Sequence, residues 1–184
     1  MTGGRAGLIL DRDGVINVDT GYVHRIEDCH FVPGIFDLLR AARARDFAIA
    51  VATNQSGIGR GYFTEDDFHR LMEEMGHVIA AQAGTVFDAV YFCPDHPTEG
   101  VGVYRRESDW RKPLPGMMRQ AINDLGLDPS RSWAVGDKMR DLEAAAAAGI
   151  AHRVLFDEAG TCVKRSGDHW IAPRLVDIIA LFDG

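Results

Sequence analysis

The chain has 184 residues, 46% of them hydrophobic and 26% charged, which suits one compact core. A formal net charge of −7 supplies no basic footprint for nucleic acid or an anionic membrane. No apolar run nears the ~20 residues of a membrane span, residues 1–7 lack the apolar core of a secretory signal, and Cys29, Cys93 and Cys162 are too scattered for a disulfide framework; a cytoplasmic protein is expected.

Residues 7–11 are a short apolar run that reads as a buried parallel strand, and the run ends in Asp11-Arg12-Asp13-Gly14. Residues 17–33 carry no long helical period and read as an irregular excursion over the sheet. Ile35, Leu38, Leu39 and Ala42 follow helical spacing. Residues 48–52 form a second strand that ends in the polar Thr53-Asn54-Gln55-Ser56-Gly57. Gly57, Gly59 and Gly61 keep the next segment loop-like. Thr64 and Asp67 resemble a capping box, and Phe68, Leu71, Met72, Met75 and Ile79 continue the helix that Gly84 closes. Residues 88–93 are a third strand, and residues 94–115 a long polar excursion of the kind that is either functional or disordered.

Met118, Ala121, Ile122 and Leu125 mark a helix stopped at Gly126. Residues 132–136 are a fourth strand, followed at once by Asp137-Lys138-Met139-Arg140-Asp141 and an alanine-rich helix ended by Gly149. Residues 152–156 are a fifth strand and residues 169–172 a short terminal one. Pro173 opens a last helix carrying Leu175, Ile178, Ile179 and Phe182. Strands alternating with amphipathic helices imply an α/β, Rossmann-like, doubly wound and mainly parallel sheet. The chain reads as a single domain over 1–184, with loop insertions at about 17–33 and 94–115 and no large cap domain.

In such a sheet the C-terminal strand ends share one edge, where ligands bind. That edge would gather Asp11 and Asp13, Thr53, Asp137 and Asp141, with Arg111 and Lys112 arriving from the long excursion. Neighbouring carboxylates there call for a cation or a substrate proton to balance them. The set suits phosphoryl transfer. A carboxylate can attack phosphorus, a second can move the proton, and Lys112, Thr53 and a hard cation can take up charge. Taken singly, each residue also has a bland reading as a cap, a turn or a solvated face.

The order Asp11-Arg12-Asp13-Gly14, Thr53, Lys112, Gly136-Asp137 with Asp141 resembles the haloacid dehalogenase (HAD) superfamily of phosphatases. Asp11 to Asn17, Gly21-Tyr22-Val23, Thr53 to Ile58, Cys93-Pro94, Arg111-Lys112-Pro113 and Gly136-Asp137-Lys138 look more closely like the D-glycero-D-manno-heptose 1,7-bisphosphate 7-phosphatases. The resemblance implies Asp11 as nucleophile and Asp13 as general acid and base. It implies Mg²⁺ held by Asp11, Asp137 and the Asp13 carbonyl, and Thr53 and Lys112 stabilising the transferring phosphoryl. Arg111 would recognise the substrate, with Asp19, Thr20, Gly21, Tyr22, Asn54, Gln55, Ser56 and Lys138 lining its site. The partner expected is a small phosphorylated sugar, acted on by a monomer.

One departure from the family stands out. Its structural zinc sits between the third strand and the Lys motif, held by Cys-x-His and a later Cys-x-Cys. Here Cys93 remains, but Asp95, Ser108 and Trp110 occupy the matching positions, with His96 one place late. Tetrahedral structural zinc takes four N/S ligands, so zinc is expected to be absent, with Trp110 filling its space. Arg105 and Arg106 either face the substrate's second phosphate or form a solvated basic stretch. Competing readings are a histidinol-phosphate phosphatase or another small phosphate monoesterase and, from another class, a non-catalytic phosphosugar-binding protein. The acidic net charge offers no groove for a polynucleotide.

Overall fold

A computed structural model describes residues 4–183. Its strands are β1 (Gly7–Leu10), β2 (Ala48–Asn54), β3 (Ala89–Cys93), β4 (Trp133–Gly136), β5 (His152–Phe156), β6 (Lys164–Ser166) and β7 (His169–Ala172). They form one sheet in the order β3-β2-β1-β4-β5-β7-β6. Every neighbouring pair is parallel except the β6–β7 hairpin.

The inner strands are apolar on both faces because both faces are covered. Leu8, Leu10, Ile49 and Val51 join the core shared with α1 (Ile35–Ala44), α3 (Glu65–Ala83) and α6 (Leu175–Ile179). Ile9, Ala50, Ala52 and Ala134 join the opposite core, with α4 (Gly116–Leu125) and α5 (Met139–Ala147). The expected doubly wound α/β sheet is what folds. Only irregular chain over 17–33 and 94–115 rises above it, broken by single 3₁₀ turns at Ile26–Asp28 and Gly102–Tyr104, so no large cap is built. Among the described residues, no helix is long and apolar enough to cross a membrane.

Three local expectations need correction. The segment after Thr53 is not wholly loop. Ser56–Gly59 forms one helical turn, α2, because Ile58 is buried and the Arg60 N–H closes on the Ser56 carbonyl at 2.9 Å. Strand β6 is not readable from the sequence because Lys164-Arg165-Ser166 has no apolar alternation; it holds to β7 through backbone pairing and the Arg165 guanidinium over the Trp170 ring. The last helix is shorter than expected. It passes into a 3₁₀ turn at Ala180–Asp183, where the Phe182 ring packs on Phe47 and Trp133.

Strand order reverses between β1 and β4, and Leu10 lies in register with Val135. The chain therefore leaves two adjacent strands at Asp11 and Asp137, which is where open α/β sheets bind ligands.

Candidate active site

Lys112 is fully buried, and its ammonium reaches three acceptors: Asp11 Oδ1 at 3.0 Å, Asp141 Oδ1 at 2.7 Å and the Ala52 carbonyl at 2.8 Å. Asn54 brings it there. Its side-chain carbonyl accepts the Lys112 N–H at 3.0 Å, and its amide donates to the Lys112 carbonyl at 3.0 Å. The long excursion is thereby clasped to the end of β2. Asn54 lines the site, but its amide is committed to this clasp.

Two buried carboxylates thus share one ammonium, leaving one negative charge uncompensated. Burial pushes Asp11 up to about 7; Lys112 pulls it back, and Asp141 adds to the rise. Burial also works against the charge on Lys112, but Asp11 and Asp141 outweigh it and hold the ammonium above its usual range. A hard divalent cation resolves the imbalance. Asp11, Asp137 and Asp141 each present an oxygen within 4.8 Å of the others. The Asp13 carbonyl, next to them in the chain, accepts no hydrogen bond among the described residues. Two glycines make the cluster possible. Gly14, at φ +86°, and Gly136 would each drive a Cβ into the carboxylates of Asp137 and Asp141 respectively.

Asp13 lies on the other side of Asp11. Its Oδ1 accepts from Arg12 Nη2 at 2.9 Å, Arg12 Nε at 3.2 Å and Asn17 Nδ2 at 3.0 Å. Its Oδ2 accepts from Arg12 Nη2 at 2.8 Å and Gln55 Nε2 at 2.9 Å. Gln55 also donates to Thr53 Oγ1 at 2.8 Å, tying the end of β2 to the end of β1.

These groups surround a cavity of about 240 Å³. Asp11, Asp13, Thr53 and Asp137 form its floor, with Asn54, Gln55 and Ser56 along one wall and Asp19, Gly21 and Tyr22 along another. Tyr22 sits in the left-handed region at φ 54°, its ring edge-on to Tyr62 at 4.8 Å. Asp19 shapes this loop by accepting the Gly21 N–H at 3.0 Å.

Four expected site residues stand elsewhere. Lys112 lies behind Asp11 rather than on the wall. Thr20 points to solvent and does not line the cavity. Arg111 is half-buried, does not line the cavity and donates to the Asp95 carbonyl at 3.0 Å. Lys138 faces an adjoining hollow near Phe156 and pairs with Asp137 at 2.6 Å. Arg105 and Arg106 do not line the cavity either, and Arg106 pairs with Asp95 at 3.0 Å.

Sequence reasoning gave no role to Arg12, Asn17 or Arg140. Arg140 lines the cavity with no ion pair or hydrogen bond among the described residues. The spacing of Asp141 from Asp137 allows either a site residue or a solvated face; it is 2% exposed.

Residues 109–163 match a family model described as HAD-hydrolase-like. The D-glycero-beta-D-manno-heptose-1,7-bisphosphate 7-phosphatase of Haemophilus ducreyi is 41% identical over 96% of this chain and 97% of its own. The chain belongs to the heptose-1,7-bisphosphate 7-phosphatase family. The D-glycero-alpha-D-manno-heptose-1,7-bisphosphate 7-phosphatase of Burkholderia mallei is 51% identical over 81% of this chain and 78% of its own. The crystal structure of D,D-heptose 1,7-bisphosphate phosphatase from B. bronchiseptica, complexed with magnesium and phosphate, superposes with a TM-score of 0.79 at 31% identity, covering 95% of this chain and 97% of that one. The family resemblance read from Asp11, Thr53, Lys112 and Asp137 therefore holds along nearly the whole chain.

Proposed function

We propose that the protein is a cytoplasmic, monomeric, single-domain phosphatase that removes the C7 phosphate of D-glycero-D-manno-heptose 1,7-bisphosphate. The observation that carries the reading is the contact of Lys112 with both Asp11 and Asp141, behind the cavity that Asp11 lines together with Asp13 and Thr53. The relatives named above support the choice of substrate.

Asp11 attacks phosphorus. The sugar oxygen leaves with the electron pair of the broken P–O bond and takes a proton from Asp13. Asp13, now a carboxylate, accepts a proton from the water that attacks the aspartyl phosphate; the bond to Asp11 breaks and inorganic phosphate departs. Thr53 donates to a phosphoryl oxygen, while Lys112 favours the ionised form of Asp11 against its burial and adds positive charge beneath the phosphoryl. Asp11, Asp137 and the Asp13 carbonyl would hold Mg²⁺, with Asp141 beside them; the ion supplies charge neutralisation at the transferring group. Arg111, Asp19, Gly21, Tyr22, Gln55 and Ser56 would face the sugar and its second phosphate, with Thr20 and Lys138 at the rim.

The loop before Lys112 is read as zinc-free. Cys93 and His96 offer two N/S ligands of the four that tetrahedral structural zinc takes, and His96 Nδ1 accepts the Glu99 N–H at 3.1 Å. The Asp95–Arg106 pair and the Trp110 ring, set against Tyr91 with ring centres 6.1 Å apart, hold the segment instead. One equivalent of zinc in the purified protein would overturn this.

The test of function is a panel of both heptose bisphosphate anomers and histidinol phosphate with Mg²⁺. The expected result is a kcat/KM at least about tenfold higher on a heptose bisphosphate, a difference of ~1.4 kcal/mol in transition-state binding. Preference for histidinol phosphate would favour the sister activity. Release from none would leave a phosphosugar-binding protein.

A further inference from the structure

Among the described residues, Arg12 is the largest fully buried side chain, yet it carries a charge. It lies between Asp11 and Asp13 in the chain and turns inward, its guanidinium 5.6 Å from the centre of the Phe68 ring. The planar fork is spent on Asp13 and on the Val23 carbonyl, 2.8 Å from Nη2, while Nη1 is buried with no partner. A buried guanidinium that leaves one nitrogen unsatisfied is not placed for its own stability. Its alignment is set by what it grips.

What it grips is lopsided. Asp13 Oδ1 receives Arg12 Nε, Arg12 Nη2 and Asn17 Nδ2. Asn17 is also sealed, with its own side-chain oxygen buried and unpartnered. Oδ2 receives Arg12 Nη2 and Gln55 Nε2, and Gln55 is the group that also touches Thr53 at the cavity wall. An oxygen already accepting three N–H donors has no room for a proton of its own. The oxygen on the Thr53 side does, once Gln55 gives way.

The geometry points to Arg12 and Asn17 as positioning residues that fix Asp13 by one oxygen, so that the other, facing the cavity, carries the proton to the leaving sugar oxygen. This rests on the reading of Asp13 as general acid and base. Neither residue touches substrate; both act through Asp13. Arg12 is suited to the task because its fork sets two nitrogens, Nε and Nη2, on Oδ1 at once, which an ammonium cannot do.

The test compares an alkyl leaving group, which must be protonated, with one that need not be. Arg12→Lys keeps the charge and loses the fork, and Asn17→Ala removes the donor on the other side of Oδ1. First-turnover rates are measured on heptose 1,7-bisphosphate and on p-nitrophenyl phosphate, with circular dichroism melts to show that each variant folds. The ratio of the two rates is expected to shift by about 10- to 100-fold toward p-nitrophenyl phosphate in both variants, the range that general acid catalysis contributes. Parallel loss on both substrates, or no loss on either, would overturn the proposal. Failure of both variants to fold would also overturn it, since the cradle would then serve stability alone. If the wild type does not hydrolyse the bisphosphate, the substrate assignment fails instead, and the ratio is taken with histidinol phosphate.

Discussion

Lys112 donates to the Ala52 carbonyl and forms ion pairs with Asp11 and Asp141 in a site closed to solvent. Replacing it with Met leaves two buried carboxylates facing each other. Breaking a buried pair from one side typically costs about 3–5 kcal/mol. Lys112→Met is therefore expected to lose about that much stability in urea unfolding at pH 8 with a chelator present. Millimolar Mg²⁺ is expected to restore part of it, because a bound cation takes over the charge and stabilises the folded state by mass action. An unchanged urea midpoint in chelator would contradict this account of the pair. Asp11, Thr53 and Asp137 were legible in the sequence because the chemistry admits few residue types and each sits where an apolar run stops, and Lys112 because it stands in the Arg111-Lys112-Pro113 motif of the polar excursion. Arg12 was not legible. Nothing in Asp-Arg-Asp reveals a side chain turning inward onto Phe68, far away along the chain. Nor does spacing alone separate a buried Asp141 from a solvated one.

The elements that carry these residues are held by ordinary local devices. Helix α3 starts at Thr64, whose hydroxyl accepts the Asp67 N–H at 3.1 Å while Asp67 accepts the Thr64 N–H at 2.9 Å. Thr64→Ala is expected to destabilise the fold by about 1 kcal/mol, read as a lower urea midpoint at unchanged slope. Asp88 links the end of α1 to β2, accepting from Arg43 at 2.8 Å and from the Ile49 N–H at 2.7 Å. Burial pushes the Asp88 carboxyl up, but Arg43 and the Ile49 N–H outweigh it and hold it below the usual carboxylate range. A depressed folded value means stability present above the unfolded pKa of about 3.9 and lost as pH falls through the folded one. Asp88→Asn is expected to flatten that acid loss; an acid limb identical to wild type would show that the pairing contributes nothing. The capping box was readable because its residues are adjacent in sequence. The Asp88 link joins residues about forty apart and was not. Strand β6 and the turn α2 were hidden for a related reason: backbone pairing and one buried Ile58 decide them, not a period of apolar residues.

At the scale of the molecule, one sheet brings together residues spread from position 11 to position 141. Parallel β1, β2 and β4 end on one edge, and the order reversal between β1 and β4 opens the crevice there. The long excursion is held to the same crevice by the Asn54 clasp on the Lys112 backbone and by the contacts of the Lys112 ammonium. That topology was legible from the alternation of strands and helices. The clasp was not, since an Asn at a strand end looks like any turn residue. The central claim is that this convergence makes Asp11 the group that takes the C7 phosphate. ³¹P NMR of D-glycero-D-manno-heptose 1,7-bisphosphate incubated with Mg²⁺ and enzyme tests it directly. With wild type, the C7 resonance is expected to give way to inorganic phosphate while the C1 resonance stays, and with Asp11→Asn both ester resonances are expected to persist. Loss of the C1 phosphate, or hydrolysis by Asp11→Asn at the wild-type rate, would contradict it.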